Sequence, residues 1–463
     1  MGLVLLLVIF VPRLTSLETG WSYDEDIWIL QSWHFLDAIR HHEWMRTYQS
    51  YHPGVTTMWG GAIGLWVSGF AKEFPRSFTV ETLKATRMSV ALIVSAGLLL
   101  VYLLLTKIYQ RSFAWLAILF IVLNPFYLAH SRIAHTDALL TTFILLSLLS
   151  MLIYLKQYNL KYLIFSGIFA GFSFLSKTSA LLLFPYSIAI LAISNKQKKC
   201  EGRRIGIWRE VISWLLAGIL TVLLVWPVSL VPSFRIKNWS IPYVPLICPV
   251  IALGLWWVLR KKTIHRRLSL TKLFNWKIIT AIILSMIIVS LLLSLPQDVY
   301  FIYKLTHSNL AYHQIVAQIQ TKVPWLYKIA TSVPGPIRAI VEATFTPHST
   351  AHLFMGKLDA DPGIFFYPGT ILLRSSLIVL LLLGIGLLFL ILDLRNRRIP
   401  NTPTLAFLGF VVFYTIALSF VSKKLDRFVL PVYPCLDIIA VATLWRLKEN
   451  IPKFIRRISH LNR

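Results

Sequence analysis

The chain has 463 residues, 57% of them hydrophobic and only 14% charged, with 16 Trp and 28 Phe. That composition excludes a soluble globular protein of one or two domains and defines a polytopic membrane protein. Lys and Arg number 46 against 19 acids, a formal charge of +27, and the bases fall where membrane topology puts them, so the excess requires no nucleic-acid partner.

Apolar runs able to cross a bilayer, which takes about 20 residues each, recur along the chain between short basic linkers. The predicted spans are Gly2 to Leu17, Met88 to Ile108, Phe113 to Leu128, Ala138 to Leu155, Tyr162 to Leu175, Ser179 to Ile193 and Val211 to Val231. They continue with Pro242 to Leu259, Ile278 to Leu295, Ile371 to Leu394, Thr404 to Val421 and Phe428 to Leu447. The expected fold is therefore an all-α polytopic membrane bundle of about 11–13 transmembrane helices. The first run is short, ends its apolar core at Pro12-Arg13 and lacks the bases that precede a signal peptide's apolar segment. It reads as a truncated start or an imperfect span rather than a cleaved signal.

Lys and Arg concentrate in loops that stay cytoplasmic. With the N-terminus inside, the inward segments include KKCEGRR (Lys198 to Arg204), RKKTIHRR (Arg260 to Arg267), LRNRR (Leu394 to Arg398) and a basic tail over residues 448–463. Inward loops and tail carry roughly 26 bases and outward short loops about 7. Both termini are thus expected in the cytoplasm of a multi-pass cell-membrane protein. The whole of 1–463 reads as one membrane domain with two long extracytoplasmic loops, 18–87 and 297–370. The first loop carries an amphipathic interfacial helix, Asp26 to Arg40. Cys200, Cys248 and Cys435 form neither a disulfide framework nor a zinc spacing. Asn238-Trp239-Ser240 matches a glycosylation sequon by chance spacing.

Acids are scarce, so their positions inform. Asp24, Glu25 and Asp26 stand just outside the first span, in WSYDEDIW. Ser22-x-x-Glu25 fits a capping box at a helix start. Asp137 closes the outer hairpin SRIAHTD and opens the next span, where an ionised group is costly unless solvated, paired or functional; a helix-capping role is an equal alternative. The outward bases Arg132, Lys177, Lys357, Arg374, Lys423 and Arg427 stand on the side that positive charge avoids. Singly, each can snorkel to lipid headgroups; as a set, they suit a bound phosphate. His52, His348 and His352 are loop histidines.

Five stretches then carry a resemblance. YDE at Tyr23 to Glu25 with HPGVTTMWGGAIGLW from His52 resembles the first external loop of the GT-C glycosyltransferases, in the branch of protein O-mannosyltransferases (glycosyltransferase family 39) and lipid A aminoarabinose transferases. NPFYLAHSRIAHTDALLTTF from Asn124 resembles that group's second acidic loop. GFSFLSKTSALLLFP from Gly171, FMGKLDADPGIFFYPGTILLR from Phe354 and KKLDRFVLPVYPCLDIIA from Lys423 follow in the family's order. One departure is His52-Pro53-Gly54, where members of the group often carry two prolines. It points to a bacterial branch of phospholipid-carrier-dependent glycosyltransferases.

The resemblance implies transfer of a sugar, with inversion, from a polyprenyl-phosphate donor to an acceptor hydroxyl on a protein, glycolipid or polysaccharide at the outer face. A phosphate leaves without a strong general acid, so one carboxylate base and a set of cations suffice. It assigns Asp24 as base, Glu25 as its partner or capping acid, and Asp137 as an orienting acid. Arg132, His135, Lys177, His52, Lys357, Arg374, Lys423 and Arg427 become the substrate-binding candidates. His135-x-Asp137 can join Asp24 around a divalent cation, as some GT-C members use one, and Asp359-x-Asp361 has the DxD pattern; in a Pro-Gly turn Asp is also a turn former, and no metal ligands are assigned. A transporter or flippase of a lipid-linked or small anionic substrate is the alternative, and would place charge near span midplanes. A non-catalytic scaffold would have no reason to gather acids and bases in matching outer loops.

Overall fold

A computed structural model describes residues 2–22, 24–50, 52–70, 78–200, 206–230, 361–396, 402–421 and 424–461. It also describes the short segments 234–236, 239–241, 352–354 and 356–359. The predicted spans over 242–259 and 278–295 and most of the second outer loop, His348 included, lie outside the described residues.

The described chain is predominantly helical. In order, the helices are α1 (Gly2–Leu14), α2 (Glu25–Arg40), α3 (Val55–Val67), α4 (Val80–Ile108), α5 (Arg111–Leu123), α6 (Pro125–His130) and α7 (Thr136–Gln157). They continue as α8 (Leu160–Ser176), α9 (Leu183–Cys200), α10 (Ile207–Val225), α11 (Phe366–Arg374), α12 (Leu377–Arg395), α13 (Thr402–Ser419) and α14 (Val432–Leu461). Four of them, α4, α7, α10 and α12, are long and apolar enough to cross a membrane, and shorter apolar helices surround them. The chain is a multi-pass membrane protein. Two antiparallel pairs of three-residue strands, Phe234–Ile236 with Trp239–Ile241 and His352–Phe354 with Lys357–Asp359, add strand structure that the all-α reading did not contain.

Helix α7 is apolar on every side and almost wholly buried, as a helix enclosed by its neighbours must be. It packs on α4 and α8, and α8 packs in turn on α10. The α8–α10 contact is close because Gly167 has no side chain: a Cβ there would lie 2.3 Å from the Trp214 carbonyl oxygen. Small residues of this kind let membrane helices approach, and the Trp214 indole N–H donates to Ser166 Oγ at 3.0 Å. On the other flank α14 gathers α5, α12 and α13.

Several boundaries differ from the hydropathy pattern for local reasons. The predicted span 113–128 is broken at Asn124-Pro125, where Pro lacks the amide hydrogen that would continue α5. The Asn124 side chain accepts from the Tyr127 amide at 3.2 Å to start α6, while its amide group donates to the Asp437 carboxylate at 3.1 Å. The span 371–394 is broken at Ser375-Ser376, with Ser376 capping α12. Helix α14 starts at Val432 and runs to Leu461, so most of the predicted tail is a helical extension.

Helix α4 begins at Val80, eight residues before the predicted Met88, behind a reciprocal Thr79–Thr82 capping box. In the first loop α2 starts at Glu25 and buries Trp28, Ile29, Phe35 and Leu36. The apolar α3, within the expected first loop, packs against both α2 and α4. These helices fix the N-terminal ends of α4 and α7 and the C-terminal end of α8 against the acidic stretch.

Candidate active site

The helix start at WSYDEDIW differs from the capping box in one half. The Glu25 carboxylate accepts the Ser22 amide hydrogen at 2.8 Å, as expected. The residue that precedes the helix is Asp24, however, in a left-handed conformation (φ 70°) with no side-chain cap. That turn separates the two acids. Glu25 points inward and is fully buried, while the Asp24 side chain is 23% exposed.

Glu25 is held on all sides. Arg87 Nε donates to Oε1 at 2.8 Å and Arg87 Nη2 to Oε2, and the Ala134 amide donates to Oε1 at 2.9 Å. The same guanidinium donates to the carbonyls of Leu17 and Thr19, each at 2.9 Å, and of Gly20. One buried ion pair thus ties the first loop, α4 and the hairpin before α7 together. Its hydrogen bonds offset the desolvation that a buried pair incurs.

Asp24 begins a chain of alternating charge. Arg427 Nη2 donates to Asp24 Oδ2 at 2.7 Å, and His135 Nε2 stands 3.9 Å from the same oxygen. The other ring nitrogen of His135 is 2.7 Å from Asp137 Oδ2, and Lys177 Nζ donates to Asp137 Oδ1 at 2.6 Å. The Lys177 ammonium also lies 4.0 Å from the centre of the Phe428 ring, a cation–π contact. Arg427 Nε is 3.7 Å from Asp137 Oδ2 and is buried without a hydrogen-bond partner. A buried polar atom left in that state is rare and marks a place where a ligand can bond. Burial raises the Asp24 pKa, but the contacts with His135 and Arg427 outweigh it and hold the carboxyl below the ordinary carboxylate range. Burial pushes down the pKa of His130, which directly precedes the hairpin.

The His52-Pro53-Gly54 turn braces the Lys177 end. Gly54 has φ 56°, and a Cβ on it would lie 2.0 Å from the Trp28 ring, so only glycine fits. Its amide donates to the Ser176 carbonyl at 3.2 Å, and Thr56 and Ser176 share a hydroxyl hydrogen bond of 2.7 Å. Trp28 in turn meets the His135 ring edge to face at 5.9 Å. On its open side Asp24 borders a cleft of about 640 Å³ lined by Trp21, Ser22, Asp24, Asp26, Ile27 and Phe78.

Of the residues expected from sequence, the structure brings Asp24, Glu25, His135, Asp137, Lys177 and Arg427 together. Arg132 is not with them: its guanidinium donates to the Thr15 and Ser16 carbonyls at the end of α1. Arg374 pairs with Asp426 at 2.9 Å on an exposed surface next to Arg427. His52 is in the turn before α3. Lys357 lies in a strand whose side chains are not described, and Lys423 lies outside the described residues. Its neighbour Lys424 is the buried lysine of that turn and bonds Asp361. Asp361 also accepts the Gly363 amide at 3.0 Å, the bond of a turn former. Among the described residues no group of three or more His, Cys, Asp or Glu is set to hold a metal ion. Sequence reading missed Arg87, Trp28 and Phe428; a lone Arg ahead of a span, opposite a loop acid, was the one available signal.

Comparison with known proteins bears on the family and the fold. Residues 76–231 match the family described as dolichyl-phosphate-mannose-protein mannosyltransferase. No curated protein matches the chain in sequence. Among solved structures it is similar to ArnT from Cupriavidus metallidurans in the apo state, with 12% identity, a TM-score of 0.51, and coverage of 96% of this chain and 59% of that one. It is also similar to the archaeal oligosaccharyltransferase AglB from Archaeoglobus fulgidus in complex with an inhibitory peptide and a dolichol-phosphate, with 13% identity, a TM-score of 0.50, and coverage of 99% and 51%. The chain therefore spans between half and three fifths of the length of the structures it matches.

Proposed function

We propose that this chain, a member of the GT-C superfamily, moves a sugar from a polyprenyl-phosphate donor to an acceptor hydroxyl, with inversion, at the outer face of the membrane. The observation that carries the proposal is the charge chain at the outer ends of the helices. One part-exposed carboxylate, Asp24, stands beside Arg427, and Lys177 and His135 stand around a buried carboxylate, Asp137. That arrangement offers a base open to an incoming hydroxyl and cations for a phosphate within one site.

The acceptor oxygen attacks the anomeric carbon from the face opposite the phosphate. As the new C–O bond forms, Asp24 takes the hydroxyl proton, while the bond to the phosphate oxygen breaks and its electron pair leaves with the lipid phosphate. In an oxocarbenium-like transition state the hydroxyl becomes acidic only as it bonds to carbon, so a carboxylate of low pKa serves. Lys177 and Arg427 meet the charge growing on the phosphate. Asp137 holds those cations in place, and His135 lies between Asp137 and Asp24. Glu25 acts through structure, by fixing the turn that presents Asp24. With the termini inside, as the basic loops suggest, this end faces outward.

The test is sugar transfer by the purified chain in liposomes, supplied with polyprenyl-phosphate-linked sugars and membrane-extracted acceptors. Consumption of a donor with stoichiometric release of polyprenyl phosphate supports the reading, and none from any such donor overturns it. A chelator arm assigns the charge stabilisation: unchanged turnover leaves it to Lys177 and Arg427, and lost turnover gives a share to a divalent ion.

A further inference from the structure

The cleft beside Asp24 has a chemistry of its own, distinct from the cationic side of the site. Trp21 and Phe78 meet edge to face with ring centres 6.2 Å apart, and they remain 50% and 39% exposed. Two carboxylates, Asp24 and the exposed Asp26, share the same wall. A part-exposed Trp21 ring beside groups that only accept hydrogen bonds suits a ring with C–H bonds on its faces and hydroxyls at its edge. The volume of about 640 Å³ is that of a small-ligand pocket.

We infer that this cleft receives the acceptor and that the acceptor is a carbohydrate without negative charge, a neutral or amino sugar at the end of a glycan or glycolipid, rather than a peptide. The inference rests on Asp24 as the base, since the group that enters the cleft on its open side must be the one that gives up a proton. Phosphate is excluded from that side by the two acids and directed to Lys177 and Arg427. An extended peptide would need backbone groups to pair with, and three of those along the wall are already engaged. The Ser22 amide donates to Glu25, the Ser22 carbonyl accepts from the Glu25 amide at 3.3 Å, and the Asp24 carbonyl accepts from the Trp28 amide at 3.2 Å. A sugar needs none of them, because its hydroxyls bond the carboxylates directly.

The experiment uses the full chain in detergent with a polyprenyl-phosphate sugar and three acceptor probes: neutral oligosaccharides, the same oligosaccharides carrying a carboxylate, and a Ser/Thr-rich peptide. Transfer to the neutral probe, with Trp21→Ala raising its KM at least tenfold at a kcat within twofold and Trp21→Phe restoring most of the affinity, is the expected result. Preferred transfer to the peptide or the acidic probe, or a KM indifferent to Trp21, overturns it. Saturation-transfer NMR reads the cleft independently of turnover: binding of the neutral probe that disappears in Trp21→Ala supports the inference even where no donor is consumed, an outcome that sinks only the assigned reaction. No binding of the neutral probe by the wild type overturns it.

Discussion

Replacing Asp24 by Asn separates the chemistry of this site from its architecture. Asp24 sits at φ 70°, a conformation that Asn tolerates better than most residues, so the turn into α2 keeps its shape. The change loses the charge of a part-exposed pair with Arg427, whose side chains are 23% and 15% exposed, worth about 1 kcal/mol. Arg427 keeps Asp137 nearby at 3.7 Å, so no buried cation is stranded. Loss of a general base lowers turnover by about 10²–10⁴-fold, or about 3–5 kcal/mol of transition-state free energy at 1.36 kcal/mol per decade. The variant should therefore unfold within a few degrees of the wild type in a thermal-shift assay while sugar transfer in liposomes falls at least a hundredfold. Turnover within a factor of a few of wild type would refute the assignment of Asp24. A collapse of thermal stability with the activity would refute the claim that its role is chemical.

Glu25→Gln should behave in the opposite way. It leaves Arg87 buried and uncompensated, costing about 3–5 kcal/mol, so abundance and melting temperature should fall sharply, and Arg87→Met with Glu25→Met should recover part of the loss in a double-mutant cycle. Lys177→Met should raise the KM for the lipid-phosphate donor more than that for the acceptor, measured by titrating each separately. The acid limb of the pH profile should lie below about pH 4, near the ordinary Asp value, because Asp24 has a depressed pKa. Its ionised form is favoured in the fold, so its contributions to activity and stability persist above that range and fade as pH falls. Arg427→Gln removes a group that lowers the pKa and should move that limb upward. Gly54→Ala should disturb the Lys177 turn, because its Cβ would enter the Trp28 ring, and a donor KM that stays at the wild-type value would contradict the bracing role.

The parts of the site legible in the sequence were those marked by scarcity: acids in a basic chain, and bases in the loops expected to face outward. Hydropathy located the apolar runs and set Asp137, Lys177 and Arg427 at span ends. It could not locate the start of α4, because residues 80–87 are helical yet too polar to register as a span, and Arg87 stayed hidden in what read as loop. Arg132 illustrates the converse. It is five positions from Asp137 in sequence, but the hairpin aims it at carbonyls of α1, a direction that depends on backbone turns no spacing encodes. Composition does not single out Lys424 in the run KKLDR, and its burial against Asp361 depends on the turn.

The acids themselves were visible, and their division of labour was not. Three carboxylates occupy neighbouring positions of one rim, and solvent access sorts them. Glu25 and Asp137 have no exposed surface, and each is bonded by a buried cation, Arg87 or Lys177. Giving either a proton from an acceptor would strand that cation in a place where an unpaired charge is expensive. Asp24 differs because the left-handed turn lifts it out of α2 to the edge of an open cleft, where it can take a proton while Arg427 retains a second carboxylate within 3.7 Å. The single backbone conformation before α2 thus separates an adjacent pair of acids, leaving the proposed base at the cleft and burying the other against Arg87.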